Sequence, residues 1–346
     1  MEFWRRNMPE GMYLRSACDW HLDPLNVHTI ERFVGLQRKT PKEVEPLALD
    51  FYLSYVDWFQ TQKHIEPIPI YIERLDHFDN HFVATSDNDV TFNAQRVVLA
   101  PGFKHFPNIP NELKQRLGSC MFRHTCEFVD FNNAAGKRYL IIGGRQSAFE
   151  WAALLIEKGA AAVHLSHRHD SPAFEVAEWA WVTELVDRLV QDPNWFRRLS
   201  EQEKDSISLR LWSEGRLKIE PWLKPRLEDA GVKLWPRTEV SNAAQVDGGC
   251  EVSLTNGEVI EVDEIILATG YKVEIGRLPY LASGNILPGL ETKNGFPVLD
   301  DHFETSIPGL LITSMPAVQD FGPYFGFTIS VRTSALLICD RLLGKA

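Results

Sequence analysis

A glycine-rich turn near the middle of the chain carries the residues best suited to bind an anion. Tyr139–Ile142 predicts a strand, Gly143-Gly144 a tight turn, and Ser147–Glu157 a helix with one apolar face. In such an arrangement the backbone N–H groups of the turn and the positive end of the helix face the same point. The sequence therefore predicts a site for the diphosphate of a dinucleotide.

Arg145 occupies the position where this turn usually has a second glycine. Its side chain either crowds the diphosphate or folds outward and adds positive charge beside it, and the sequence leaves both alternatives open. Ala148 is small enough to let the helix approach the strand closely. The predicted binding residues of the turn are Gly143, Gly144, Arg145, Gln146, Ser147 and Ala148.

The end of the next predicted strand indicates which dinucleotide binds. An acidic residue about 20 positions past the turn holds the ribose hydroxyls of NAD, whereas a basic residue accommodates the 2′-phosphate of NADP. Here the strand ends in Ser166, His167 and Arg168, with no acid before Asp170. This pattern favours NADP(H), with Arg168 near the 2′-phosphate.

Three histidines on this strand, His164, His167 and His169, invite interpretation as metal ligands. Successive side chains of a strand alternate between its faces, so His164 lies opposite the other two. Because metal ligands must converge on one point, no metal site is predicted. The chain also contains neither G-x-S-x-G nor H-E-x-x-H, so no protein nucleophile is predicted.

Two segments align residue for residue and indicate an internal repeat. "RVVLAPGFK" covers residues 96–104 and "EIILATGYK" covers 264–272, and each closes a series of short predicted strands, 68–102 and 232–270. The repeat predicts two related units. By the same spacing a glycine turn for the first unit would precede Met1, so that unit is expected to lack its opening strand, turn and helix.

The composition disfavours several classes of partner. A net charge of −11 over 346 residues argues against nucleic acid and anionic membranes, since both carry negative charge. No signal peptide is apparent, and no apolar run approaches the ~20 residues of a membrane span, so a cytoplasmic location is expected. The five cysteines include no C-x-x-C and are interpreted as buried free thiols.

Residues 170–231 are predicted to be a helical insertion in the second unit. Ser200–Glu203 forms a capping box, and Gly215 is the predicted end of the helix that starts there. Tryptophans at such density pack in a core or in a subunit interface, which a homodimer would use. The tryptophans of this segment are Trp179, Trp181, Trp195, Trp212 and Trp222.

These motifs resemble the flavin-dependent monooxygenase and pyridine-nucleotide oxidoreductase superfamily. "VVLAPG", "GGRQSA" and "IILATGY" are similar to its linker and nucleotide motifs, and the resemblance covers nearly the whole chain. It implies an α/β fold of two dinucleotide-binding, Rossmann-like domains, in which the NADP domain is inserted in an FAD domain incomplete at its N-terminus. The expected bounds are 1–132 for the first part of the FAD-type domain, 133–275 for the NAD(P)-binding domain with its inserted helices, and 276–346 for the FAD-type return segment.

The resemblance also implies which residues approach the cofactors. "FWRRNMPEGMYLRS" is similar to a segment that approaches the flavin and the nicotinamide, which makes Asn7 the candidate catalytic residue at the flavin's reactive edge. "GLLITSMPAVQDFGPYFGF" is similar to the strand and helix that return to the flavin. The other implied cofactor-binding residues are Met12, Arg15 and Ser16 beside Asn7, Pro101, Gly102, Thr269 and Gly270 in the linker motifs, and Asp320, Phe321 and Gly322 near the ribityl chain or ring.

The implied function is that of an NADPH-dependent flavoprotein monooxygenase. In the family NADPH reduces FAD, molecular oxygen adds to it, and the flavin hydroperoxide oxygenates a nitrogen or sulfur of a small soft nucleophile. Two alternatives stay open. One is a non-catalytic NADP-binding protein or redox sensor lacking FAD, or a subunit completed by another chain; the other is a flavin-type reductase without oxygenation. The missing C-x-x-C argues against a disulfide reductase.

Overall fold

The computed structural model describes residues 1–228 and 231–344. Within them the α-helices are α1 (Glu2–Arg6), α2 (Ile30–Leu36), α3 (Pro41–Val44), α4 (Leu49–Gln62), α5 (Asn111–Leu117), α6 (Gln146–Glu157), α7 (Ala180–Gln191), α8 (Trp195–Arg198), α9 (Glu201–Arg216), α10 (Lys224–Leu227), α11 (Pro279–Ala282), α12 (Val318–Phe321) and α13 (Ser330–Leu342). Every helix in these ranges is too short or too polar to cross a lipid bilayer.

The strands are short, and most of them lie in two clusters along the chain. In chain order they are β1 (Ile72–Phe78), β2 (His81–Ser86), β3 (Thr91–Ala94), β4 (Val97–Leu99), β5 (Phe122–His124), β6 (Arg138–Ile142), β7 (Ala162–His167), β8 (Ala173–Phe174), β9 (Lys218–Ile219), β10 (Val232–Pro236), β11 (Val240–Val246), β12 (Gly249–Leu254), β13 (Val259–Val262), β14 (Glu264–Leu267), β15 (Thr292–Lys293), β16 (Phe296–Pro297) and β17 (Leu310–Ile312).

The chain divides into two compact units, each assembled from three segments. Unit 1 consists of Met1–Arg15, Pro107–Glu178 and Arg210–Tyr271, and unit 2 of Ser16–Phe106, Trp179–Leu209 and the chain from Lys272 onward. The first 15 residues and residues 107–132 therefore lie in the unit that holds the glycine turn. The expected bounds of the FAD-type and NAD(P)-binding domains stay a prediction.

Unit 1 is built on a five-stranded parallel sheet with the order β10-β7-β6-β14-β5. Strands β6 and β14 are nearly continuous apolar runs, as expected where a parallel sheet is covered on both faces. Leu140 and Ile141 of β6 and Ile266 of β14 are fully buried. Ile142 pairs with Ser166 of β7 and with Leu267 of β14, so the three strands end together at one edge. The antiparallel strands β11, β12 and β13 form a second, three-stranded sheet.

Helix α6 packs against the sheet of unit 1 and is buried along most of its length. Ala148, Ala152 and Leu155 are fully buried, and Phe149 and Trp151 are almost so. Small residues at 148 and 152 let the helix lie close to the sheet, as the sequence predicts. The core around α6 also takes in Phe128, Phe131, Tyr139, Val163 and Leu223.

Unit 2 contains the antiparallel strands β1, β2 and β3 and a parallel pair, β4 with β17. Leu310 pairs with Val97 and Ile312 with Leu99. Helix α13 packs against α7, where the hydroxyl of Thr333 donates to the carbonyl of Val186 at 3.3 Å.

The predicted internal repeat is confirmed by topology, except that Val232–Pro236 (β10), predicted to open the second copy, belongs to the parallel sheet beside β7. Residues 72–99 form three antiparallel strands followed by a parallel strand, and residues 240–267 repeat that order. The two parallel strands differ in burial, because β14 lies between β6 and β5 whereas β4 pairs with β17 alone among the described strands. Ile266 of β14 is fully buried, whereas Val98 of β4 is 42% exposed.

The interpretation of all five cysteines as buried free thiols is wrong for three of them. Cys120 and Cys250 form a disulfide across 130 residues of sequence, with their Cα atoms 6.0 Å apart. The pairing arises because the end of α5 packs on the sheet that contains β12, a contact that no local spacing reveals. Cys18 and Cys126 are buried and free, and Cys339 is free but exposed.

Candidate functional site

The glycine turn of unit 1 is held tightly by the ends of the two neighbouring strands. A Cβ atom on Gly143 would lie 2.5 Å from the carbonyl oxygen of Ala268, and the φ of this residue is +150°. A Cβ atom on Gly144 would lie 2.5 Å from the Cβ atom of His167. Both positions therefore require glycine, because β7 and β14 approach the turn so closely.

The backbone N–H groups of this turn are available to a ligand. Gly143 donates to the carbonyl of Ser166 at 2.9 Å, which closes the turn. The N–H groups of residues 144–147 have no acceptor within the part of the chain that the structure describes. They lead into α6, a helix of 12 residues, whose positive end adds to their field. The arrangement can bind a diphosphate without rearrangement of the backbone.

The side chain of Arg145 folds away from the turn and onto helix α9. Its guanidinium carbon lies 4.8 Å from the ring centre of Trp212, a cation–π contact. Its Nη1 atom is buried without a hydrogen-bond partner in the described structure. Burial, with Arg216 and Arg168 nearby, lowers the pKa of Arg145 to about 10. Three arginines, Arg145, Arg168 and Arg216, thus place positive charge beside the turn, and no acidic residue of the described chain contributes to the pKa shift of Arg145.

The other residues predicted for the nucleotide lie at the same edge of the sheet. Arg168 directly follows β7, is exposed and forms no ion pair within the described residues. The Thr269-Gly270 linker follows β14, and Gly270 adopts a φ of +75°. Its carbonyl accepts the N–H of Asn108 at 2.9 Å and lies 3.0 Å from Nε2 of His124.

Asn7 lies at the end of α1 in unit 1. Its side-chain amide donates to the carbonyl of Cys126 at 2.8 Å. Beside it, Nδ1 of His124 lies 3.1 Å from the sulfur of Cys126, and Tyr271 hydrogen-bonds the same sulfur. Burial lowers the pKa of His124 and raises that of Cys126 to about 11, so both groups are neutral near pH 7. They do not form the thiolate–imidazolium pair of a cysteine nucleophile.

Met12 and Arg15 have structural contacts within unit 1. Met12 packs against the core around α6. Nε of Arg15 lies 2.8 Å from Oε1 of Glu220, and its other nitrogens donate to the carbonyls of Gly215 and Lys218. These contacts hold the segment that follows Asn7 against the rest of unit 1.

Glu150 is a buried acid that lies outside the residues predicted from the motifs. It is 2% exposed on α6, one turn after Gln146. Its carboxylate accepts the N–H of Tyr13 at 3.1 Å and the amide of Gln146 at 3.3 Å, and Arg226 lies 3.5 Å away. Burial raises its pKa to about 7. The available signal was a charged residue inside the apolar run of 148–156.

The remaining predicted residues lie in unit 2. The hydroxyl of Ser16 is 3.3 Å from that of Thr328. Pro101 and Gly102 follow β4, with Gly102 at a φ of +61°. A carboxylate oxygen of Asp320 accepts the N–H of Leu299 at 2.9 Å.

Phe321 is a core residue of unit 2. It has no exposed surface and stacks on Phe303 with ring centres 3.8 Å apart. Gly322 follows it at a φ of +112°, where a Cβ atom would meet the ring of Tyr324 at 2.6 Å. The structure thus gathers residues 143–148, Arg168 and Thr269-Gly270 in unit 1, and Ser16, Pro101-Gly102 and residues 320–322 in unit 2. In the described residues, no group of three or more His, Cys, Asp or Glu is arranged for a metal ion.

Two family models and several curated proteins match parts of this chain. A model of the pyridine nucleotide-disulphide oxidoreductase family matches residues 20–192, and a second model of the same description matches 210–312. Ferredoxin–NADP reductase 2 of Listeria welshimeri is 25% identical over 181 residues, which are 52% of this chain and 40% of the reductase. The probable indole-3-pyruvate monooxygenase YUCCA8 of Arabidopsis thaliana is 26% identical over 191 residues, 50% of this chain and 42% of that protein. The matches thus span less than half the length of these curated relatives.

Solved structures share the fold over nearly the whole chain. Ornithine N-hydroxylase of Kutzneria sp., determined with reduced FAD, NADP⁺ and L-ornithine, has a TM-score of 0.77 at 15% identity, covering 99% of this chain and 90% of its own. L-lysine 6-monooxygenase of Pseudomonas syringae has a TM-score of 0.70 at 17% identity, covering 98% and 89%. Bacillithiol disulfide reductase of Staphylococcus aureus has a TM-score of 0.62 at 16% identity, covering 98% and 86%. These matches confirm the predicted α/β, Rossmann-like fold.

Proposed function

The chain belongs to the pyridine nucleotide-disulphide oxidoreductase family, and from that premise we propose that it is an NADPH-dependent flavoprotein monooxygenase. One observation carries the nucleotide part of the proposal: the N–H groups of residues 144–147 stand without acceptors in the described chain, at the end of β6 and the start of α6. A diphosphate satisfies these donors, and the unpartnered Nη1 of Arg145 adds a further donor beside them. The turn therefore fits NADP(H).

Selection of NADPH over NADH is assigned to the end of β7. The buried hydroxyl of Ser166 donates to the carbonyl of Thr238 at 2.7 Å, so it is committed to the protein. Burial lowers the pKa of His167 to about 4, which makes this imidazole neutral near pH 7. Arg168 is then the charged group at the strand end, where a 2′-phosphate would lie.

The flavin part of the proposal is supported by the family resemblance and by the monooxygenases among the structures that share the fold. Bound FAD would supply the activation of oxygen. In the described part of unit 2, no glycine turn with free N–H groups precedes β4, so these residues do not provide a diphosphate site like that of unit 1.

Asn7 and the residues assigned to the flavin by resemblance form the second part of the proposal. Asn7 would act at the reactive edge, and the proposed domain bounds are 1–132, 133–275 and 276–346. The proposed flavin neighbours are Met12, Arg15, Ser16, Pro101, Gly102, Asp320, Phe321 and Gly322. The proposed substrate is a small amine or sulfide, which would receive one oxygen atom from O₂. NADPH would supply two electrons, and the second oxygen atom would leave as water with one proton taken from solvent.

A second candidate function is reduction without oxygenation. It is favoured by the similarity to ferredoxin–NADP reductase 2 of Listeria welshimeri, which covers 52% of this chain. In that case NADPH would still bind at residues 143–148, but the electrons would pass to an acceptor other than oxygen. The two functions share the same nucleotide site. They differ in whether O₂ is consumed and its oxygen transferred to the substrate.

The experiment measures nucleotide binding and oxygen consumption separately. Calorimetric titration of the purified protein with NADPH tests the site, and Arg168→Ala should weaken NADPH much more than NADH. Oxygen uptake with NADPH and added FAD, in the presence of a panel of amines and sulfides, then tests oxygenation. Substrate-stimulated uptake with a hydroxylated or S-oxygenated product supports a monooxygenase. NADPH oxidation of an artificial acceptor without oxygenated product supports the reductase, and lack of NADPH binding rejects both.

A further inference from the structure

An open depression of about 480 Å³ lies in unit 1 on a surface rich in arginine. It is lined by Arg116, Arg168, Arg237, Glu239, Ser241 and Thr255. Arg168 is the only one of these residues that the sequence motifs single out. The other two arginines come from α5 and from the loop after β10, parts of the chain remote from the glycine turn in sequence.

The fold brings Arg168 and Arg237 to the same edge of the sheet. β7 and β10 are parallel neighbours, and His167 pairs with Pro236, the last residues of the two strands. Arg168 directly follows His167, and Arg237 directly follows Pro236. The N–H of Arg237 donates to the carbonyl of His169 at 3.0 Å, which ties the two strand ends together.

The cations of this depression exceed its fixed anions. Nη1 of Arg116 lies 2.9 Å from Oε2 of Glu239. Nε of Arg237 lies 3.2 Å from Oδ1 of Asp170, but both side chains are about three-quarters exposed, so water screens the pair and it contributes little. Arg168 has no ion-pair partner within the described residues. The depression therefore keeps at least one uncompensated positive charge.

Of the two hydroxyl groups that line the depression, that of Ser241 already donates to the carbonyl of Ser253 at 3.0 Å, whereas that of Thr255 can donate to a phosphate oxygen. Oγ1 of Thr255 accepts the N–H of Glu239 at 3.0 Å, which leaves its own hydrogen to donate. Guanidinium groups bind phosphate through paired N–H donors, and several of them prefer a dianion to a monoanion. The chemistry matches a phosphate monoester.

We propose that Arg237 and Arg116, which line this depression beside Arg168, also contact the 2′-phosphate of NADP(H) and help to determine nucleotide specificity. This inference rests on the proposed function for the position of the nucleotide. The diphosphate would lie on the turn after β6. Because β7 lies between β6 and β10 in the sheet, the ribose would extend over the end of β7 toward the end of β10. Glu239 opposes binding, because it neutralises Arg116 and repels a phosphate.

The test compares dissociation constants for NADPH, NADH and adenosine 2′-phosphate by calorimetry. Arg237→Ala should weaken NADPH and adenosine 2′-phosphate about tenfold and change NADH less than about twofold. Arg116→Ala should also weaken NADPH binding, but by a smaller factor, since Arg116 already pairs with Glu239. Glu239→Gln should instead tighten NADPH. Arg198→Ala is the matched control, because Arg198 is also an exposed arginine paired with an aspartate, Asp192, but does not line the depression.

The outcomes separate this inference from the proposed function. If Arg237→Ala and Arg116→Ala weaken NADPH and NADH equally, or leave both unchanged, the inference is overturned while the nucleotide site stands. If the native protein binds neither nucleotide, the proposed function fails. Binding of adenosine 2′-phosphate then tests by itself whether the depression is a phosphate site. Binding of that probe that Arg237→Ala removes supports the phosphate site; no binding, or binding insensitive to the substitution, overturns it.

Discussion

The guanidinium of Arg145 lies over the ring of Trp212, 4.8 Å from its centre. The first residue belongs to the glycine turn and the second to helix α9, within the insertion. Arg145 thus stands beside the turn instead of inside it, and its buried Nη1 has no hydrogen-bond partner in the described structure. A bound diphosphate can supply that partner.

Trp212 should therefore report on nucleotide binding. Titration with NADP⁺ should draw Arg145 toward the phosphates and change the tryptophan fluorescence, and Trp212→Phe should remove most of this change while leaving the dissociation constant within about threefold. Arg145→Ala should weaken NADPH and NADH alike by about tenfold, since both share the diphosphate. An unaltered fluorescence change in Trp212→Phe, together with normal binding in Arg145→Ala, would contradict this role.

Gly144→Ala should destabilise the protein and impair nucleotide binding. The new methyl group would lie 2.5 Å from the Cβ atom of His167, so the turn and β7 must move apart. We expect a loss of about 1–3 kcal/mol in the free energy of unfolding, measured by denaturant titration. Gly35→Ala is the matched control: a Cβ atom there meets nothing within 4 Å, and the residue lies inside a helix, where alanine is favoured. Equal effects of the two substitutions would disprove the packing argument.

Glu150 should make the folded state less stable as the pH rises toward neutrality. Burial raises its pKa from the ordinary 4.5 of a glutamate to about 7 in the folded protein. The folded state therefore binds this proton more tightly than the unfolded state does. The contribution of Glu150 to stability is greatest below pH 4.5 and is lost as the pH rises from about 4.5 to 7. The loss is on the order of 3 kcal/mol.

Glu150→Gln should remove this slope, because glutamine keeps an acceptor for the N–H of Tyr13 without an ionisable group. The measurement is the free energy of unfolding from pH 5 to 8 for the native protein and the variant. Glu157→Gln is the control, since Glu157 also pairs with Arg226 but is 45% exposed. A native slope that persists in Glu150→Gln would assign the pH dependence to another group.

Asn7 makes two separable predictions. Loss of its hydrogen bond to the carbonyl of Cys126 in Asn7→Ala should cost about 1 kcal/mol of stability without any cofactor. If Asn7 also acts at the flavin, the FAD-supplemented variant should show slower flavin reduction by NADPH and more hydrogen peroxide released per NADPH consumed. Lower stability with normal reduction and normal peroxide release would make Asn7 a structural residue only.

Much of unit 1 could be predicted because its signals are local. The strand, turn and helix of residues 139–157 lie within 19 consecutive positions, and apolar periodicity with two glycines is enough to identify them. The repeat of "RVVLAPGFK" and "EIILATGYK" predicted the shared order of strands for the same reason. Arg168 could be found because a strand end is also a local feature.

Tertiary structure alone decided which distant side chains meet those local elements. Trp212 receives Arg145, Arg237 joins Arg168 across neighbouring strands, and Cys120 bonds to Cys250 over 130 residues. Each contact depends on how helices and strands pack, and the spacing of residues along the sequence does not predict that packing. The amino-acid sequence by itself thus determined where a diphosphate can bind, whereas the charges and aromatic groups around that point were placed by the fold.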